Sequence, residues 1–246
     1  MRVELMLVGD ELLTGDLDPY PAGMLKAIRG KGAVVSQIAV VPDEQMCIVR
    51  ELDASCARGT GLLVVTGGLG PTIDDVTRHA LASFLGAELV VDERARGWVR
   101  DAYLARHGRA PDQGSPAMLM AMVPEGTEAL RNPAGIACGI RAVVEGTTIV
   151  CLPGFPREML AMFELHVLPL LGDEGVYERE MRVMHGETAM EPVFQQVARE
   201  FKVRIASLPK EGWHEKGGNV VVIKGRREDV EKACLRFLQL MEGFDA

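Results

Sequence analysis

Aromatic residues make up 5% of the 246-residue chain, too few for the stacking platforms that grip single-stranded nucleic acid. Positive charge is also scarce: 27 Lys and Arg against 35 Asp and Glu leave a net charge of -8. Nucleic acids and anionic membranes are bound by clustered cations, so neither is an expected partner. No apolar run approaches the roughly 20 residues that span a bilayer. The opening stretch, MRVELMLVGDELL, has no long apolar core ahead of a small-residue cleavage site, so a cytoplasmic location is expected. The five cysteines, Cys47, Cys56, Cys138, Cys151 and Cys234, form no CxxC pair. That excludes the usual zinc spacings and a disulfide framework, and they read as buried thiols. His107, His166, His185 and His214 have no metal-ligand spacing, and His79 reads as solvent-facing.

What is present is the composition of an ordinary globular protein, 48% hydrophobic and 25% charged. The length suits one large domain plus a small one. Short apolar runs at Val3–Val8, Ala33–Val41 and Gly61–Thr66 read as strands, the last continuous enough to be covered on both faces. Between and after them lie helical patterns: AGMLKAIRGKGA, then Glu44–Arg58 with Met46, Val49, Leu52 and Cys56 on one face, then DDVTRHALASFLG. Strand and helix in alternation predict a doubly wound α/β sheet. Further on, DERARGWVRDAYLARHG and PREMLAMFELHVLPLL read as helices, DQGSPAMLMAMVPEG as a loop with a Met-rich turn, and GIRAVVEGTTIVCLPG as a hairpin turning at Glu145–Gly146.

An acidic, Gly-containing stretch, GDEGVYERE, marks a domain boundary, dividing residues 1–172 from a small domain at 176–246. In the latter a strand (Glu178–His185), helix (Thr188–Phe201), two strands (Val203–Leu208, Asn219–Gly225) and a helix (Glu228–Met241) give a βαββα order, a small α+β fold.

Chemistry concentrates in TGGLGPTIDD, residues Thr66 to Asp75. A glycine-rich loop between a strand and a helix presents backbone N–H groups and a positive helix end to an anion. It has no GK[ST], so it is not a Walker A loop. A tight turn with Asp74 as helix N-cap accounts for it equally well. The other strand ends tilt the balance. In a doubly wound sheet ligands sit beyond the carboxyl ends of the strands. Gly9, Asp10 and Glu11 follow the first strand, Asp43 and Glu44 the second, and Asp74 and Asp75 the third. Carboxylates beside a phosphate repel it by about 1 kcal/mol each at 4 Å in water. A divalent cation reverses that sign, so the expectation is metal-assisted chemistry on a phosphoanhydride.

The blocks GDELLTGDL, VPDE, TGGLGPTIDDVT, NPAGIACGI and LPGFPREM occur in this order over residues 1–172. They resemble the signature blocks of the MoCF/molybdopterin-binding domain family, in the form found at the N-terminus of CinA proteins. The resemblance implies a three-layer α/β/α sandwich around a mostly parallel sheet, of the MogA-like type. It implies a nucleotide or molybdopterin ligand, with Mg2+ or another divalent metal as cofactor. For CinA-like members it implies pyrophosphatase action on ADP-ribose-type dinucleotides. A non-catalytic binding module and a molybdopterin adenylyltransferase are the alternatives, and a homodimer or homotrimer is implied. By position, the resemblance places the essential acids on Asp43 and Asp75, with Asp74 as a third metal ligand. The phosphate-binding loop falls on Thr66, Gly67, Gly68, Gly70 and Thr72, with Gly9 and Glu11 from the first block. Asn132, Pro133 and Gly135 form a second pocket loop, and Pro153, Gly154 and Glu158 a third. Asp18-Pro19-Tyr20 departs from the N-T-N usual in CinA-like proteins. The last 70 or so residues are too short for the C-terminal amidohydrolase domain of full-length CinA. They look like a KH-type module, but the nearest glycine pair, Gly217-Gly218, lacks the basic flanks of an RNA-binding loop.

Overall fold

The computed structural model describes residues 1–18, 21–112, 114–172, 177–208 and 218–243. The chain divides into two compact units, residues 1–172 and 173–246. The first opens with β1 (Arg2–Val8), α1 (Asp10–Thr14), α2 (Ala22–Gly30), β2 (Val34–Val41), α3 (Gln45–Ala57), β3 (Leu62–Thr66) and α4 (Thr77–Leu85). It continues with β4 (Leu89–Val91), α5 (Glu93–His107), β5 (Met122–Pro124), β6 (Glu128–Leu130), β7 (Gly139–Val144), β8 (Thr147–Leu152) and α6 (Pro156–Met162).

The main sheet has the order β2-β1-β3-β8-β7-β6. The four strands from β2 to β8 run parallel, β7 is antiparallel to β8, and β6 is antiparallel to β7. The central strands are largely apolar because both faces are covered. Val3, Leu5 and Leu7 pack with Met24, Ile28, Met162 and Phe163 on one side. Met6, Val8, Leu63 and Val65 pack with Ile48, Leu52, Leu81 and Val99 on the other. This is the three-layer arrangement the sequence predicts. Glu4 is buried in the second layer, where Arg58 holds it at 2.7 Å. After β1 the chain crosses to one side for β2 and returns to the other for β3, so the strand order reverses at β1 and leaves a crevice beyond its carboxyl end.

Three local expectations change. The buried face of α3 is Ile48, Leu52 and Ser55, and Met46 is exposed. Two apolar tracks overlap on that helix, and the sheet takes the one centred on Ile48. Asp10 and Glu11 belong to a short helix rather than a loop. Helix α4 begins at Thr77, not at Asp74, and Val76 stands at its N-cap without a side-chain bond, so Asp74 caps nothing there.

The second unit comprises β9 (Tyr177–Val183), α7 (Glu187–Glu200), β10 (Val203–Leu208), β11 (Asn219–Gly225) and α8 (Arg227–Glu242). Its antiparallel sheet has the order β10-β11-β9. Val221 and Ile223 pack with Val193, Phe194, Val230 and Phe237 of its helices. Pro19, Tyr20, His214 and Gly217 lie outside the described residues.

Candidate functional site

The loop after β3 is shaped by its own side chains. Gly67 has φ +103°, and a Cβ there would run into the carbonyl oxygen of Val8, so this position requires glycine. The Thr77 hydroxyl donates to Gly67 O at 2.8 Å and its N–H to Gly68 O at 3.1 Å. Asp75 turns back over the loop. Its Oδ1 accepts from Gly70 N at 2.7 Å, and its Oδ2 accepts from Thr72 N at 2.8 Å and Thr72 Oγ1 at 2.5 Å. Two of the backbone N–H groups expected to be open to a phosphate thus already bind an anion, a carboxylate of the same loop.

Beneath the loop lies a cation that the motif does not contain. Arg78 is 2% exposed, and donates from Nη1 to Gly70 O at 2.8 Å and from Nη2 to Leu69 O at 2.5 Å. Burial pulls its guanidinium below the usual value, while the charge of Asp75 works in the opposite sense.

Facing the loop, β1 and β2 end in a reciprocal pair. Asp10 N donates to Asp43 Oδ2 at 3.0 Å, and Asp43 N donates to Asp10 Oδ1 at 3.2 Å. Burial holds the Asp43 carboxyl above the ordinary carboxylate value. The bond from Asp10 N opposes this, and the negative charges of Asp10, Glu11 and Asp74 add to it. On the opposite wall Asn132 positions Glu158. Its Nδ2 donates to Glu158 Oε2 at 2.7 Å and to Ala137 O at 3.0 Å, and its Oδ1 accepts from Ala134 N at 3.0 Å. The Glu158 carboxylate lies against Gly135, where any Cβ would collide with it.

These groups enclose a cleft of about 510 Å³. Glu11, Asp43, Gly67, Gly68, Gly70, Thr72, Asp74, Asp75, Pro153, Gly154 and Glu158 line it. Asn132, Pro133 and Gly135 line an adjoining cavity of about 950 Å³, with Glu158 common to both. Gly9 and Thr66 line neither: both are buried behind the loops, where Gly9 N bonds Val41 O. Among the described residues no three His, Cys, Asp or Glu side chains are grouped so as to hold a metal ion. Asp43, Asp74 and Asp75 therefore share the cleft without forming a ready three-acid cage, because Asp75 is turned towards Gly70 and Thr72. His79 is exposed and outside the cleft. Cys138 and Cys151 are buried, each thiol pushed up to about 12 by burial, but Cys47, Cys56 and Cys234 are only half-buried. Leu17, Ile136 and Phe155, which fall within the signature blocks, also line the cleft, and so does Arg106, which no motif marks.

The family model described as a probable molybdopterin binding domain matches residues 4–173. A protein of Pyrococcus furiosus is 35% identical over 245 residues, covering 97% of this chain and 96% of that one. A CinA-like protein of Salinibacter ruber is 38% identical over 198 residues, covering 78% of this chain and 47% of that protein. The structure of the protein CinA, of unknown function, from Thermoplasma acidophilum matches with a TM-score of 0.60 at 30% identity. That match covers 67% of this chain and 94% of the other. Family model, relatives and fold agree: this chain belongs to the MoCF/molybdopterin-binding domain family, in its CinA-like form.

Proposed function

We propose that the cleft hydrolyses the phosphoanhydride of ADP-ribose-type dinucleotides with the help of a divalent cation. The observation that carries this reading is the meeting of an anion-holding glycine loop with Glu11, Asp43 and Asp74 in one cleft. A half-buried carboxyl crowded by like charges, as Asp43 is, fits a cation. Mg2+ commonly takes only one or two carboxylates and completes its shell with water and substrate phosphates, so the lack of a three-acid cage suits it. Asp43 and Asp74 would hold it, joined by Asp75 once that side chain leaves the loop amides, and when bound it neutralises charge and polarises the phosphoryl group. The loop amides of Gly70 and Thr72 take the phosphate oxygens once Asp75 releases them. The Arg78 guanidinium keeps the carbonyls of Leu69 and Gly70 turned inward, so that the amides face the ligand. Water adds to phosphorus, the bridging P–O bond breaks, and two phosphomonoesters leave.

The test is hydrolysis of ADP-ribose and FAD with Mg2+, Mn2+ or Co2+. Turnover should fall at least a hundredfold in Asp43→Asn and in Asp75→Ala, the order expected when charge stabilisation is lost. No turnover on either compound, or full activity in Asp75→Ala, sinks the reading. A second reading, a non-catalytic module for molybdopterin or a nucleotide, is favoured by the engagement of Asp75 with its own loop. Calorimetric binding without turnover would select it.

A further inference from the structure

We propose that the cavity beside the cleft is a second anion subsite, built for the phosphate monoester end of an elongated ligand that carries an aromatic ring. Arg106, Arg131 and Arg157 all line this cavity. Among the described residues none of these three guanidinium groups has an ion pair or a hydrogen bond. Their situation differs from that of their neighbours. Arg58, Arg94, Arg96, Arg100, Arg109 and Arg141 of the same unit each reach a carboxylate. In a chain with eight more acids than bases, three arginines without an ion pair outnumber the two carboxylates, Asp101 and Glu158, that line the same cavity, and leave it a net positive charge. The acids on the same wall are already engaged: Asp101 accepts from Arg100 at 3.0 Å and Glu158 from Asn132 at 2.7 Å.

Guanidinium groups bind phosphate through paired N–H donors, and a monoester dianion matches several of them better than a carboxylate does. Phe155 stands where the two cavities meet, 75% exposed, and Trp98 lines the arginine cavity. An apolar ring edge held out in water at a cavity mouth is a surface on which a planar ring can stack. Arg106, Ile136, Phe155 and Glu158 line both cavities, so one ligand can run from one to the other. That the far end of this ligand carries the scissile anhydride rests on the pyrophosphatase reading, and such a ligand would be a dinucleotide bearing an added monoester phosphate, which ADP-ribose and FAD lack. The anion subsite does not.

Phenyl phosphate, a ring with one monoester, is the probe, titrated with EDTA present so that no cation takes part. The chain has two tryptophans, and Trp213→Phe leaves Trp98 as the sole reporter. The expected result is a saturable change in Trp98 emission that benzyl alcohol does not produce. Affinity should fall about tenfold or more in the double variant Arg131→Gln/Arg157→Gln, a change of two exposed side chains, and stay within about twofold in Asp75→Asn. Absence of saturation in the parent, or equal affinity in the arginine variant, overturns the proposal. A gain in affinity confined to Asp75→Asn, which frees the loop amides from a competing carboxylate, places the phosphate on the glycine loop and overturns it as well. Turnover of ADP-ribose is a separate readout, so failure of the pyrophosphatase reading leaves this result standing.

Discussion

Asp75 holds an anion's place. Its two oxygens take the N–H groups of Gly70 and Thr72, so a ligand phosphate must displace it, and a cation nearby would draw it away. Replacing one oxygen by an amide group in Asp75→Asn turns an acceptor into a donor facing an N–H. The expected cost is about 1–2 kcal/mol of stability, read by thermal unfolding in EDTA. Asp43 should behave in the opposite way. Its carboxyl is held above the ordinary 3.8 by burial and by Asp10, Glu11 and Asp74, so its ionisation works against folding. The folded chain keeps that proton at pH values where the unfolded chain has lost it. Stability is therefore favoured below the ordinary value and lost as pH rises through the raised one. Asp43→Asn should match the wild type at low pH and melt above it at pH 7 in EDTA, while losing the upward shift that Mg2+ gives the wild type. A variant no more stable than wild type at pH 7 would contradict this. The acids were readable because each lies in the loop or turn that follows an apolar run. Arg78 was not: helix periodicity makes it a surface residue, and only the loop folding over it buries the guanidinium. Arg106 reaches the cleft from the last turn of α5, far from every motif.

At the scale of elements, the join between β3 and α4 determines whether the site exists. The sequence suggested a helix running from Asp74, yet four residues are spent bringing Asp75 back to Gly70 before the helix starts at Thr77. A side chain reaching back to its own loop competes with helix formation, and spacing alone does not reveal which prevails. Gly67 carries the geometry of this join. Gly67→Ala places a methyl group against the Val8 carbonyl at φ +103°, whereas Gly146, φ +86°, has open space around it. Gly146→Ala should therefore cost only the left-handed backbone penalty of about 1–2 kcal/mol. Gly67→Ala should cost about 2–4 kcal/mol, since the strand ends must also move apart. Urea unfolding of the two variants separates strain from collision, and equal losses would show that the loop yields. The short strands β4, β5 and β6 had escaped notice because three residues carry no periodicity.

For the molecule as a whole, the layers were legible because β1 and β3 are apolar on both faces, which a sheet bare on one side would not permit. The two units have separate cores, and every residue lining the cleft or the arginine cavity belongs to the first. A core lesion should then act where it is made. Phe237 is fully buried and stacks on Phe194 with ring centroids 6.0 Å apart. Phe237→Ala leaves a cavity worth about 3–5 kcal/mol, and Leu5→Ala, beneath the main sheet, about 2–5 kcal/mol. Hydrogen exchange should speed up across residues 177–243 in the first variant and across residues 2–66 in the second. Ligand binding to the cleft should survive Phe237→Ala with unchanged affinity and weaken in Leu5→Ala, because β1 carries Asp10 and Glu11 at its end. If Phe237→Ala weakened binding as much as Leu5→Ala does, the second unit would have to support the site directly, and the assignment of cleft chemistry to the first unit alone would fail.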